Sequence, residues 1–196
     1  MTVIVAMGAN SALAAKAATQ TIPVVFFMGN DPVELGVVAS LNRPTGNLTG
    51  FTTVSAELTG KRLELLHQMV PAADTIAYLV PRLPGSLLIP AETKAMQSAA
   101  SVLGVRPLVL SAVTESEIAA AFATMVEQHA GALVASSATR TLAEVDQILS
   151  FAGRYAIPTM YYGRGAVERG ALAGYAGSTV EGLRQMGVYT GRILKG

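Results

Sequence analysis

Residues 106–135, RPLVLSAVTESEIAAAFATMVEQHAGALVA, contain the pattern that decides the fold class. Two short apolar runs, Arg106–Ser111 and Ala132–Ala135, have the length and composition of buried β-strands. Between them, Thr114 and Glu117 have the S/T-x-x-E spacing of a capping box, which predicts the start of a helix. That helix carries four apolar side chains on one face, Ile118, Phe122, Met125 and Val126. Such a face is typical of a helix that packs on a sheet.

The same alternation of strand, turn and helix extends outward along the chain. Further strands are predicted at Val3–Ala6, Ile22–Phe27, Thr75–Val80 and Ile157–Tyr161. Strands that alternate with helices form parallel sheets through right-handed crossovers. The sequence therefore predicts an α/β fold of βα units. Other predicted helix ends are capping boxes at Thr141 with Glu144 and at Ser178 with Glu181, and glycine C-caps at Gly104 and Gly131.

One segment interrupts this alternation. Arg43–Phe51 contains a proline, two glycines and no helical period, so it predicts an extended crossing between two lobes. A second polar, glycine-rich stretch, Gly174–Ser178, precedes the last predicted helix and is a candidate for another crossing. The sequence therefore favours two lobes that share one chain.

Composition narrows the classes of protein to which the chain can belong. Of the 196 residues, 51% are apolar, which is enough for a buried core, and 14% are charged, with a formal net charge of +1. A nucleic-acid partner normally requires a clustered basic face, so we predict none. No cysteine is present, which excludes disulfides and cysteine-ligated zinc. No apolar stretch approaches the roughly 18 residues of a membrane span.

The start of the chain gives a separate expectation. A predicted strand follows Met1 at once, without the charged region and long apolar region of a signal peptide. We therefore expect this chain to be a truncated part of a longer gene product.

Sequence motifs for catalysis are missing. There is no G-x-x-x-x-G-K-[ST], no G-x-G-x-x-G and no G-x-S-x-G. The two histidines, His67 and His129, each lie near the predicted end of a helix, where they would satisfy terminal carbonyls. Neither has a second histidine or cysteine at the spacing of metal ligands. We predict no catalytic residue, no metal site and no cofactor.

Loops that follow the predicted strands are better candidates for binding, because ligands of open α/β sheets bind beyond the carboxyl ends of the strands. The loop at residues 8–11 precedes a helix predicted from Ala12, and it either caps that helix or also holds a carboxylate. After the second strand, the carboxylate of Asp31 either caps the next helix or faces a ligand ammonium group. The candidate ligand residues in these two loops are Gly8, Asn10, Ser11, Gly29 and Asp31.

Two later loops add hydroxyl, guanidinium and aromatic groups. Ser136 and Ser137 follow a predicted strand, and Arg140 closes the same loop with a side chain able to clamp a carboxylate. Tyr161 and Tyr162 end the strand after Pro158. One tyrosine is expected in the core, and the other lines a cleft.

The order of these segments resembles the ABC-transporter substrate-binding protein family that includes the tryptophan- and tyrosine-type binding proteins. The resemblance covers nearly the whole chain, and the string from Asp31 to Gly50 is its most specific part. It rests on residues 3–8, 12–19, 22–26, 31–33, 39–44, 46–50, 61–66 and 187–196, with Tyr161, Arg164, Glu168, Gly170, Leu172 and Tyr175.

The resemblance implies a type I periplasmic-binding fold: two parallel-sheet lobes of βα units joined by a hinge, with the ligand in an interlobe cleft. Residues 1–50 plus 176–196 would be a partial first lobe, and residues 51–175 the second lobe. Relatives carry an export signal and more of the first lobe, so that lobe is expected to be incomplete here. The family's ligand contacts correspond to the four loops described above.

Two departures from the family pattern affect the expected ligand. Relatives usually have an Asn-Pro-rich turn where this chain has Pro81–Gly85, and they often have an Asp-Pro-aromatic turn where it has Ser136–Arg140. The second departure removes a ring on which an aromatic ligand could stack.

The function that these patterns favour is that of a solute receptor for an ABC importer, not an enzyme. We expect a small carboxylate-bearing ligand, an amino acid or related acid, a membrane permease as partner, and a periplasmic location for the full-length parent. The alternatives are a ligand-sensing domain of a regulator, a doubly wound α/β enzyme, and a truncated chain that binds nothing. An open sheet edge could also pair two copies into a homodimer.

Overall fold

The protein's structure, a computed structural model, describes residues 2–44, 46–139 and 141–196. Its elements, in chain order, are β1 (Ile4–Met7), α1 (Ala9–Ala18), β2 (Val24–Met28), β3 (Leu48–Thr52), α2 (Leu58–Met69), β4 (Thr75–Val80), α3 (Leu88–Leu103), β5 (Arg106–Ser111), α4 (Glu115–Glu127), β6 (Ala132–Ala135), α5 (Leu142–Tyr155), β7 (Thr159–Tyr161), α6 (Arg164–Val167), β8 (Ala173–Gly174) and α7 (Thr179–Lys195).

The chain forms two compact units. Unit 1 consists of Met1–Ser55 and Gly177–Gly196, and unit 2 of the contiguous segment Ala56–Ala176. Each unit has one sheet in which all paired strands are parallel. The chain therefore has the α/β architecture that its alternating pattern predicts.

Unit 1 is a three-stranded sheet of order β1-β2-β3 with one helix packed on each face. Phe26 of β2 lies in the apolar cluster that α1 covers with Ala12. Its neighbour Phe27 points the opposite way, toward α7, where a Cβ on Gly182 would come within 2.5 Å of the Phe27 ring. On the same side, the rings of Phe51 and Tyr189 lie 5.2 Å apart, between β3 and α7.

Unit 2 is a five-stranded sheet of order β5-β4-β6-β7-β8. Every residue of β4 and β6 is buried, because helices cover both faces of these central strands. One apolar cluster joins Leu133 to Phe122 of α4 and Ile148 of α5. The other cluster joins Val134 to Leu63 of α2 and Met96 of α3. The candidate loops of unit 2 therefore extend from a sheet that is held from both sides.

Most of the predicted strands are confirmed. β4, β5 and β6 have the predicted bounds, and β1, β2 and β7 differ by one or two residues. The capping boxes at Thr114 and Thr141 form completely. At Ser178 the hydroxyl accepts from the backbone of Glu181, while the Glu181 carboxylate accepts from Arg184. Gly104 is a left-handed C-cap, as predicted.

The predicted crossing at Arg43–Phe51 is wrong in its second half. Leu48–Thr52 is β3, which pairs in parallel with β2. Gly50 suggested a turn, yet it lies within the strand because the side chain of Phe26 fills the space above it. A Cβ on Gly50 would come within 2.1 Å of the Phe26 carbonyl oxygen. The boundaries between units 1 and 2 follow Ser55 and Ala176.

Three predictions about helices are also wrong. Gly131 is not a C-cap, because α4 ends at Glu127 and Gln128 is its C-cap residue. Gly131 lies so close to Ala73 that a Cβ on it would be 2.8 Å from the Ala73 Cβ. Val126 of α4 is 46% exposed, so the apolar stripe ends at Met125. No helix follows Asp31 within the described residues, where the chain forms successive turns instead.

Candidate functional site

The four candidate loops lie at the carboxyl edges of their own sheets. Two follow β1 and β2 in unit 1, and two follow β6 and β7 in unit 2. Since the strands of each sheet are parallel, the two loops of each unit extend from the same edge of that unit's sheet.

The loop after β1 is shorter than predicted because α1 begins at Ala9, not Ala12. Gly8 has φ 89° and ψ 162°, a conformation open mainly to glycine, and its N–H donates to the Phe27 carbonyl at 2.7 Å. Asn10 and Ser11 therefore lie in the first turn of α1. The Ser11 hydroxyl donates to the carbonyls of Met7 at 2.5 Å and Gly8 at 2.9 Å, so it supports the start of the helix.

The loop after β2 is organised by Asp31. Its Oδ1 accepts from the N–H groups of Val33 at 2.7 Å and Glu34 at 3.4 Å. The carboxylate thus caps a turn, not the helix expected from the sequence. Gly29 is half-buried beside it, and the carbonyl of buried Asn30 accepts from the Thr52 hydroxyl at 2.8 Å.

The loop after β6 is turned toward the interior of unit 2. Ser136 is fully buried, and its hydroxyl donates to Glu92 Oε2 at 2.5 Å. The Ser137 backbone N–H donates to Glu92 Oε1 at 3.3 Å, and the Ser137 hydroxyl donates to the same oxygen. Both serine hydroxyls therefore hold the loop in place. Arg140, the third candidate in this loop, lies outside the described residues.

The two tyrosines after β7 have different environments. Tyr161 is fully buried in the cluster between the sheet and helices α4 and α5, so it is the core tyrosine of the pair. Burial raises its pKa, as does the charge of Asp146. Tyr162 is half-buried, and its hydroxyl donates to the Thr139 carbonyl at 3.3 Å. Burial raises the pKa of Tyr162, and the nearby charge of Glu92 raises it further.

A buried ion pair beneath these loops was missed by the sequence analysis. Arg62 of α2 and Glu92 of α3 are both fully buried, with Arg62 Nη1 3.9 Å from Glu92 Oε1. Burial lowers the pKa of Arg62, while the charge of Glu92 raises it. An arginine stays protonated in proteins, so the Arg62 cation is buried beside the Glu92 carboxyl group.

Helical periodicity contains the signal that would have found this pair. Arg62 lies on the apolar stripe of α2 with Thr59, Leu63 and Leu66. Glu92 is four and eight residues before the buried Met96 and Ala100 of α3. A charge on the buried stripe of a helix usually has a partner, because an unpaired buried charge is costly.

The Glu92 carboxylate is the centre of a hydrogen-bonded network in unit 2. Tyr78 of β4 donates its hydroxyl to Glu92 Oε2 at 2.7 Å, and the same oxygen accepts from Ser136. Burial raises the pKa of Tyr78, as do the charge and hydrogen bond of Glu92, so this hydroxyl remains a donor at neutral pH. Arg62 extends the network to the Thr59 hydroxyl at 3.2 Å and to the Tyr175 carbonyl at 3.0 Å.

Other kinds of site were also sought in the described residues. A groove in unit 1 beside β3 is lined by Phe26, Val38, Leu41, Pro44, Thr52 and Tyr189, and by none of the candidate ligand residues. Across residues 2–44, 46–139 and 141–196, no three histidine, aspartate or glutamate side chains are placed to hold a metal ion. In that same part of the chain, every helix is too short or too polar to cross a membrane.

A family of known proteins matches the whole chain: the family model described as "ABC transporter substrate binding protein" covers residues 1–196. A tyrosine-binding protein of Clostridioides difficile (strain R20291) is 38% identical over 76 residues, which are 39% of this chain and 21% of that protein.

Two solved structures share the fold along almost the full chain. A conserved domain protein from Vibrio cholerae has a TM-score of 0.80 at 23% identity. An ABC domain in complex with L-Trp from Streptococcus pneumoniae has a TM-score of 0.76 at 19% identity. Each match covers 99% of this chain but only 64% of the other, so the chain spans less than two thirds of these relatives. Together they show a fold of the periplasmic-binding-protein type.

Proposed function

Because the chain belongs to the ABC transporter substrate-binding protein family, we propose that it captures an amino acid or related carboxylate-bearing solute for an ABC importer. The observation that carries the proposal is the family match over residues 1–196. The tyrosine-binding relative supports an amino acid as the ligand. The protein's task is then binding, not catalysis.

The loops at the carboxyl edges of both sheets supply the proposed contacts. In unit 1, the Gly8 loop leads into the amino end of α1, where backbone N–H groups favour a carboxylate. Asp31 supplies a negative charge suited to an ammonium group. In unit 2, Tyr162 is the candidate for an aromatic contact with the ligand. The backbone of the loop at Ser136 and Ser137 is the candidate for further contacts. Gly29 belongs to the loop after β2, Asn10 and Ser11 lie at the amino end of α1, and Arg140 remains a candidate carboxylate clamp.

Ligand titrations under thermal denaturation test the proposal. L-Tyr, L-Trp and L-Phe are compared with tyramine, tryptamine and phenethylamine, which lack only the carboxylate. A ligand at about 100 times its Kd stabilises the protein by about 2.7 kcal/mol, which raises the midpoint of a chain this long by roughly 5–10 °C. We expect shifts with the amino acids and none with the amines.

Two outcomes would contradict parts of this proposal. Equal shifts with an amino acid and its amine would show that the carboxylate is not recognised. A flat response to a panel extended to aliphatic amino acids and aromatic acids would remove the proposed ligand class. The same titrations are repeated on the variant Asp31→Asn. This variant keeps an oxygen that caps the turn but removes the charge proposed to face the ammonium group.

The partner and location follow from the proposed role. We propose that the protein is periplasmic and delivers its ligand to a membrane permease, and its match to a family of ABC transporter substrate-binding proteins supports this role. Fractionation of cells that express the natural gene tests the location, and recovery in the cytoplasm would contradict it.

Self-association through a sheet edge is a separate proposal. Val5 and Met7 of the edge strand β1 are about half exposed, 47% and 53%, and such an edge can pair with another copy. Sedimentation velocity should show dimers that Val5→Lys abolishes, with Val102→Lys on α3 as the matched control. Monomers at all concentrations would exclude this pairing.

A further inference from the structure

We propose that Arg62 and Glu92 are positioning residues for ligand binding: Glu92 holds the loop after β6, and Arg62 holds the chain at the end of β8. This inference rests on the proposed function, because it assigns these residues to the support of the unit 2 binding loops. Neither side chain touches solvent. Their contribution to affinity would therefore act through the loops that they hold.

The geometry shows that the two charges contact the loops more closely than each other. Arg62 Nη1 and Glu92 Oε1 are 3.9 Å apart, beyond a hydrogen bond. Glu92 accepts at 2.5 Å from Ser136 and at 3.3 Å from the Ser137 backbone, while Arg62 Nε donates at 3.0 Å to Tyr175. The pair is thus arranged around the two chain segments, and not for the closest contact between opposite charges.

Stability alone gives little reason for this arrangement. Moving two charges out of water is costly, and well-packed apolar residues of similar volume often stabilise a protein as well or better. The unit has ample apolar packing around the pair, including Leu63 and Met96 on the same two helices. We therefore explain the two buried charges by the polar groups of the loops to which they bind.

Both carboxyl oxygens of Glu92 act as acceptors in this network. It receives the hydroxyls of Tyr78, Ser136 and Ser137 and the backbone N–H of Ser137, all of which are donors in these contacts. A glutamine would replace one oxygen with an NH₂ group that faces donors. The Ser136 hydroxyl also accepts from the Ala138 N–H at 3.0 Å, so residues 136–138 are fixed by one charge.

Arg62 holds the end of the same sheet. Its Nε donates to the carbonyl of Tyr175, and the Tyr175 N–H donates to the Tyr161 carbonyl at 3.0 Å. Tyr175 follows β8 directly and precedes the end of unit 2 at Ala176 by one residue. The planar guanidinium bonds Tyr175 and Thr59 in two directions, which a lysine ammonium on a flexible stem does not reproduce.

Tyr162 links the network to the proposed ligand contacts. Its hydroxyl donates to the carbonyl of Thr139, in the loop that Glu92 holds. The charges of Glu92 and Arg62 both act on Tyr162. Displacement of the loop at residues 136–139 would therefore displace the partner of this tyrosine.

The test compares removal of one charge with removal of both. Glu92→Gln leaves Arg62 buried without its counter-charge and should lower the urea midpoint. The double variant Arg62→Met with Glu92→Met removes both charges and should recover part of that midpoint, although Tyr78, Ser136 and Ser137 then lose their acceptor. The matched control is Lys61→Met with Glu64→Gln, which breaks an exposed ion pair on the same helix α2.

Hydrogen exchange and affinity then separate positioning from stability. In the double variant we expect amide exchange to remain about tenfold faster than in the parent at residues 136–139 and 173–176. Affinity for the amino acid that stabilises the parent should fall by about tenfold, the equivalent of one charge-assisted hydrogen bond. Parental exchange, or parental affinity, in the folded double variant would overturn the proposal.

Arg62→Lys keeps the charge of the side chain, and it replaces the double variant in the exchange measurements if the double variant does not fold. It should speed exchange at residues 173–176 and leave residues 136–139 unchanged, whereas equal effects on both segments, or none, would overturn the proposal. If the parent binds no ligand of the panel, the proposed function fails. The exchange measurements on the ligand-free protein still decide whether the pair positions the loops.

Discussion

At the scale of single residues, the absence of a Cβ at Gly50 allows β3 to lie close to Phe26 of β2. A Cβ there would be 2.1 Å from the Phe26 carbonyl oxygen and 2.6 Å from its Cγ. Gly50→Ala should therefore lower the free energy of unfolding by about 2–3 kcal/mol, as expected when a packed site is overfilled. Urea denaturation measures the change.

The control for Gly50 is Gly153→Ala in α5, where a Cβ meets nothing within 4 Å. That change should stabilise the protein slightly, because alanine is the better helix former. If Gly50→Ala were as stable as the parent, β3 would not pair with β2 in the register described.

Glu117 gives a residue-scale prediction about pH. Hydrogen bonds from Arg82 and from the backbone of Thr114 and Val113 lower the pKa of Glu117 from 4.5 to about 2. A carboxylate whose folded pKa is depressed stabilises the protein above its unfolded pKa, and this contribution is lost as pH falls through the folded pKa. Glu117→Gln should therefore be destabilising at pH 7, and most of this effect should be lost by the time the pH has fallen to about 2.

Urea midpoints measured at several pH values between 7 and 2 test the Glu117 prediction. Glu115→Gln, in the same first turn of α4, removes a charge that shares the helix dipole but not the capping box. A Glu117→Gln effect that is constant across this pH range would contradict the assigned hydrogen bonds.

Single residues also mark where the sequence was informative. Tyr161 and Tyr162 were correctly expected to include one core tyrosine, since adjacent residues at a strand end point in opposite directions. Arg62 and Glu92 were missed because their partners are distant along the chain. The periodicity of each helix points to a buried position, but it does not show that the two positions meet.

At the scale of elements, the glycines of α7 distinguish its packed side from its free side. Gly182 is buried against the Phe27 ring, whereas a Cβ on Gly187 meets nothing within 4 Å. Gly182→Ala should lower the free energy of unfolding because the Phe27 ring must move. Gly187→Ala should raise the free energy of unfolding by up to about 1 kcal/mol, because alanine is the better helix former. Equal effects of the two variants would contradict the packing of α7 on β2.

Buried central strands were the elements best predicted from the sequence. β4 and β6 are covered on both faces, so they are continuous apolar runs with unambiguous ends. β3 was missed because its glycine resembles a turn signal, although it serves close approach to Phe26. The start of α1 was misplaced because its N-cap is Gly8, not one of the polar residues that follow it.

At the scale of the whole molecule, unit 2 should fold on its own. It is one contiguous segment, Ala56–Ala176, with apolar clusters on both faces of its sheet. We expect that segment, expressed alone, to unfold cooperatively in urea and to give dispersed amide resonances in NMR spectra. Residues 1–55 alone should not, because α7, which covers Phe27 and Phe51, would be missing.

A contrary result would change the description of the units. If the segment 56–176 were disordered alone, its stability would depend on residues outside it. If residues 1–55 alone were compact, α7 would not be needed to close unit 1.

The location of the candidate site in the fold could be predicted from the sequence, but the contacts of its side chains could not. Alternation of strands and helices is sufficient to predict that loops after strands gather at one edge of a parallel sheet. It does not predict side-chain direction. Ser136 and Ser137 thus turned out to bind Glu92 inside unit 2. Which loops contact a ligand remains a proposal that the titrations test.

The division of unit 1 between the two ends of the chain has a consequence for biosynthesis. Ribosomes make β1, β2 and β3 before the elements of unit 2, and they make α7 after them. The aromatic side chains of Phe27 and Phe51 therefore remain uncovered by α7 while unit 2 is translated. A chaperone that binds newly made chains would therefore shield this sheet throughout the synthesis of unit 2, until α7 covers it.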